Sequence, residues 1–143
     1  SILQSFRRHN GGMLEHLLLQ KMDGGEDVAM LFGEEKEFAA TPRKAKWMHL
    51  LQSAGGTEVL DVRAATYGER PVVFADLAIV RPGERGEIYM QNRLMMVYHQ
   101  GRMLTLTCGA AGRIADRAAI DARQVSNRNT LCQDYFDSLR FFD

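Results

Sequence analysis

The side chains able to do chemistry in this chain are few and scattered. His9, His16, His49 and His99 are its four histidines. None is spaced with another histidine, a cysteine or a carboxylate as a metal site requires. His49 sits beside Trp47 on a helical stretch and His99 in a hairpin turn, both solvent-facing positions. Ser138 lies in a closing amphipathic helix and outside any Gly-x-Ser-x-Gly elbow, so nothing activates it as a nucleophile. Gly109-Ala110-Ala111-Gly112 lacks the lysine of a phosphate-binding loop and reads as a link between sheet and helix. The expectation is no catalytic constellation, no metal and no cofactor, with a hydrolase as the enzyme class held in reserve.

Sulfur is the more informative element. Cys108 ends a strand and Cys132 lies on the closing helix that should cover the sheet, so the two can meet as a disulfide or remain two buried thiols. A bridge would stabilise the fold by about 3.5 kcal/mol on the chain-entropy account and would imply an oxidising compartment. Met90, Met95, Met96 and Met103 cluster in the central strands of a chain with eight methionines. Flexible, polarisable methionine fills core gaps and also suits surfaces that receive varied apolar partners. Leu94-Met95-Met96-Val97 is apolar at every position, so both faces of its strand must be covered, or one face is open for a partner or a second copy. Met90, Leu94, Met96 and Trp47 are the candidate contact residues.

The elements that would position these residues follow from periodicity. Residues 1–12 carry no clear period and read as a frayed terminus. Met13 to Met22 reads as a leucine-rich strand, with a helix as the alternative, and Asp23-Gly24-Gly25-Glu26 as a turn into a return strand from Asp27 to Phe32. Thr41-Pro42 opens a helix in which Trp47, Leu50, Leu51 and Ala54 form one stripe, and Gly55-Gly56 closes it. From Thr57 the period becomes two. Strands over Thr57 to Ala64, Val72 to Arg81, Glu87 to Tyr98 and Arg102 to Cys108 are separated by short turns, which favours antiparallel pairing. A weak helix from Ile114 to Val125 precedes the closing helix, whose face carries Leu131, Cys132, Tyr135, Phe136 and Leu139. The result is a single α+β domain over residues 1–143: an antiparallel meander packed against an inserted helix and a C-terminal helix.

Charge excludes some partners. The 143 residues hold 18 basic and 18 acidic side chains, a formal charge of zero. Such a chain has no whole-molecule footprint for nucleic acid or an anionic membrane. No apolar run approaches the ~20 residues of a spanning helix. The first residue is Ser1, so the expectation is a processed or a trimmed chain, from which any targeting segment would already be gone.

Three motifs in order carry a resemblance. Gly68-Glu69-Arg70-Pro71 opens a meander strand, Gly101-Arg102-Met103-Leu104-Thr105-Leu106-Thr107 forms a later one, and Phe136-Asp137-Ser138-Leu139-Arg140-Phe141 ends the closing helix. Across about Val28 to Phe142 the chain resembles the PsbP-like fold, shared by the photosystem II extrinsic protein, a Ran-binding nuclear import factor and many small bacterial proteins. It departs at its start, where members carry Leu-Pro and a tryptophan in the first strand and residues 1–27 carry neither. Paired cysteines are not a general feature of that family.

The resemblance implies binding rather than catalysis. Its members hold a photosystem surface, a small GTPase or, in one bacterial subgroup acting as chaperones, the hydrophobic segments of type VI secretion effectors. The expected function is a non-enzymatic binding or accessory protein of a bacterial envelope or secretion system. Its partner would be a protein or peptide held on the sheet face opposite the closing helix, with a homodimer possible. The alternative is a carrier of a lipid or other apolar ligand in a START-like cavity. The periplasm or envelope is favoured over the cytoplasm.

Overall fold

The structure, a computed structural model, describes residues 2–23, 31–32 and 43–139. Its elements in chain order are β1 (Ile2–Asn10), β2 (Met13–Asp23), α1 (Arg43–Gln52), β3 (Thr57–Tyr67), β4 (Arg70–Gly83), β5 (Gly86–His99) and β6 (Arg102–Arg113). A short 3-10 turn (Ile114–Asp116), α2 (Arg117–Arg128) and α3 (Leu131–Asp137) follow. The strands form one six-stranded sheet in the order β1-β2-β6-β5-β4-β3, and every pairing is antiparallel. This is an α+β architecture.

The meander from β3 to β6 forms for the reasons its sequence gives: alternating side chains and tight two-residue turns. Two elements correct the sequence reading. Residues 2–10 are not frayed but form β1, because Gly11 and Gly12 adopt φ +61° and +82° and close a two-residue hairpin between Asn10 and Met13. With β1 on one side and β6 on the other, β2 has no edge left for a return strand. Residues 24–30, which include most of that expected strand, and the Thr41-Pro42 cap lie outside the described residues. The second correction is Gly109 to Gly112, which is not a link: β6 continues through it to Arg113, paired with β2 and β5.

Both faces of the sheet bear packed side chains. On one face Trp47 of α1 inserts among Phe32, Val62, Val73, Leu94 and Met96, its ring 5.3 Å from Phe32 in an edge-on contact. The indole N–H donates to the Leu31 carbonyl at 2.8 Å, so burial leaves no orphaned donor. The helical stripe is Trp47, Met48 and Leu51; Leu50 and Ala54, expected on it, are exposed. On the opposite face α3 lays Cys132 and Phe136 over Phe74, Met95, Val97, Leu106 and Cys108. Beside it, α2 buries Ile120 against Ala78, Tyr89 and Ala110. Cys108 and Cys132 are joined, with Cα atoms 5.4 Å apart, and the described residues contain no free cysteine.

Candidate binding face

Trp47, Leu94 and Met96 do not form a contact surface. Trp47 is fully buried, Met96 is 1% exposed and Leu94 is buried with them under α1. The methionine cluster of the central strands is therefore split. Met96 and Met103 fill the core beneath α1, while Met95 fills the one beneath α3. Alternation in β5 explains this: even-numbered residues from Met90 to Tyr98 point to the α1 face and odd ones to the helical layer opposite. Met90 alone among the four candidates remains half-buried, at the end of β5 away from Tyr98.

Met90 belongs to a second neighbourhood on the α1 face, built by β2, β6 and β5. Strand register places Met90 beside Ala111 and Leu14, Asn92 beside Gly109 and His16, and Leu94 beside Thr107 and Leu18. The face-up row of β2 reads Leu14, His16, Leu18, Gln20 and Met22, half-buried until Met22, which is exposed. Among the described residues α1 packs chiefly on β3, at the far edge of the sheet from this row.

One polar pair sits inside this apolar strip. The imidazole of His16 and the carboxamide oxygen of Asn92 are 2.9 Å apart. That oxygen only accepts, so the imidazole proton resides on Nε2. Asn92 in turn directs its N–H toward the Met90 sulfur at 3.8 Å. The pair meets across β6 because residue 109 has no side chain. A Cβ there would collide with Asn92 Oδ1 and come within 2.8 Å of His16 Nε2 and the Gln91 carbonyl oxygen. Burial lowers the His16 pKa below its ordinary 6.5; the Asn92 hydrogen bond opposes that shift, and the neighbouring Arg7 charge adds to it. His16 is thus neutral at pH 7. The pair links β2 to β5 and sets the Asn92 carboxamide against Met90. Among the described residues no three His, Cys, Asp or Glu are placed to hold a metal ion.

His16 and Asn92 were not singled out from sequence as a site. The signal lay in Gly109, which reading it as a link concealed: as a glycine inside β6 it marks close approach of neighbouring groups. The opposite face holds another polar layer that sequence reading passed over. Buried Glu15 takes hydrogen bonds from Arg8 at 3.0 Å and Asn127 at 2.5 Å, and buried Asp76 pairs with Arg93. Tyr89 O–H and Gln91 N–H both donate to Asp121, at 2.5 and 2.6 Å. Burial, and then the Asp121 hydrogen bond, raise the Tyr89 pKa.

No known protein-family profile matches the sequence, and no curated protein matches it. Among solved structures the chain is similar to PA94, a protein of unknown function from Pseudomonas aeruginosa. That superposition has a TM-score of 0.61 at 11% identity and covers 100% of this chain and 84% of the other. The first likeness shows a shared fold. LpqN, a Mycobacterium tuberculosis protein involved in cell envelope biogenesis, superposes with a TM-score of 0.38 at 16% identity, over 79% of this chain and 58% of the other, too loosely to support an argument. No described helix is long and apolar enough to cross a membrane.

Proposed function

We propose that this chain is a non-enzymatic binding or accessory protein of PsbP-like type. It receives an apolar segment of a protein partner on the face formed by β2, β6 and β5. The observation that carries this reading is the strip Leu14, Leu18, Met22 and Met90 on the α1 face, with the neutral His16–Asn92 pair at its centre. Its aliphatic and thioether side chains accommodate partners of varied shape, and the pair offers one polar anchor. The described clefts, about 310 Å³ lined by Lys21, His99 and Arg102 and about 440 Å³ lined by Glu84, Arg85 and Ile88, lie at hairpin ends. The Cys108–Cys132 bridge supports an oxidising setting such as the bacterial envelope.

Calorimetric titration with a peptide of about 20 apolar residues, the length of a spanning segment, tests the reading. Saturable binding without turnover is expected, weakened about tenfold or more by Met90→Glu, since a tenfold change equals about 1.4 kcal/mol. Equal binding by wild type and Met90→Glu, with thermal midpoints unchanged, contradicts it.

A further inference from the structure

On the helical face of the sheet three guanidiniums gather round one buried carboxylate. Buried Asp76 in β4 accepts a forked pair from Arg93 in β5, Nε at 2.8 Å and Nη2 at 3.0 Å. Two further guanidiniums approach Asp76 without hydrogen-bonding it. Arg63 Nη1 lies 3.9 Å from Oδ2, and Arg128 Nε lies 3.8 Å from Oδ1. Arg63 reaches outward to exposed Asp61 at 3.0 Å and stacks over Phe74, 5.1 Å from its ring centre. Arg128, the last residue of α2, donates through Nη2 to the neutral Gln91 Oε1 at 2.7 Å, and its Nε is buried without an acceptor.

Three permanent cations therefore share two carboxylates, and the inner two, Arg93 and Arg128, share one. Asp121 accepts from Tyr89 and Gln91 through Oδ1 and, among the described residues, forms no ion pair with any of the three. Three guanidiniums gathered round one buried carboxylate repel one another, and an added anion would relieve that repulsion. The side chains of Arg63 and Arg128 remain 42% and 23% exposed, so an incoming group can reach them.

We infer that Arg63, Arg93 and Arg128 form an oxyanion-binding site at the C-terminal end of α2, one that takes a phosphate or carboxylate group. The planar fork of a guanidinium matches both groups in two-point hydrogen bonding. Asp76 holds Arg93 in place beneath the site, and the incoming oxyanion engages the outward sides of Arg63 and Arg128. The site is on the sheet face opposite the Met90 strip, so it stands or falls apart from the proposed apolar-segment function.

Inorganic phosphate, titrated calorimetrically at constant ionic strength with chloride as the balancing anion, tests it. Saturable phosphate binding is expected. Arg63→Gln and Arg128→Gln should each weaken it about tenfold, the loss of one charge-assisted hydrogen bond. Arg113→Gln, exposed elsewhere, should leave it unchanged. Arg63→Gln alters a surface side chain, so it decides the matter even where Arg128→Gln fails to fold. A short peptide with a free C-terminal carboxylate, compared with its amide, separates the sources. Phosphate binding alone assigns a phosphate ligand, carboxylate-dependent peptide binding alone assigns a partner's carboxylate, and both outcomes support the site. Neither probe binding above chloride, or equal binding by wild type and Arg63→Gln, overturns it.

Discussion

Gly109 illustrates how one missing side chain positions two others. Gly109→Ala would push a methyl group into Asn92 and toward His16 and the Gln91 backbone. Overpacking of this kind costs about 1–3 kcal/mol, and a lowered thermal midpoint is the expected outcome; an unchanged midpoint would show that β5 and β2 yield freely. The His16 shift also has a sign that can be measured. Its folded-state pKa lies below the unfolded value of 6.5, so the folded chain binds the proton less readily. Stability is then full above that value and declines as pH falls below it. Thermal unfolding followed from about pH 7.5 to 5, where histidine titrates, should show that decline in the wild type and a shallower one in His16→Gln. On the helical face, Asp76→Ala would strand Arg93, losing about 3–5 kcal/mol as for other broken buried pairs; chemical denaturation measures it. These polar residues were hard to read in sequence because their partners lie on other strands, far away along the chain. Nothing local shows that Asp76 and Arg93 are directly paired in adjacent strands, or that His16 and Asn92 flank one glycine.

Elements were legible where short-range signals govern them. The turns at Gly68-Glu69 and Gln100-Gly101 fix their hairpins by backbone conformation, and the stripe of α3 faces the sheet as its spacing requires. β1 was not legible. Its side chains from Ile2 to His9 are all exposed, so no hydrophobic alternation marks it, and it exists as a strand through backbone pairing with β2. The inserted helix was read correctly at Trp47 but rotated: Met48 packs where Leu50 was expected. Trp47→Ala should cost about 3–5 kcal/mol, measured by denaturant unfolding, because it empties the centre of that core. The bridge between β6 and α3 spans 24 residues of sequence. Its reduction should lower stability by about 3.5 kcal/mol, and the unreduced, denatured protein should show no reactive thiol; two free thiols would contradict the bridge.

At the scale of the whole molecule, the sheet divides its labour between faces. The helical face is covered by α2 and α3 and tied by a disulfide and a buried ionic layer. On the other face α1 packs over β3, and among the described residues no helix packs on the Met90 strip of β2, β6 and β5. The proposed holding function assigns the apolar partner to the second of these faces. The measurement that tests this division most directly is a residue-resolved NMR titration with an apolar peptide. The account predicts saturable shifts concentrated at Leu14, His16, Leu18, Met90 and Asn92. Shifts confined to α2 and α3, with the Met90 strip unmoved, would contradict it.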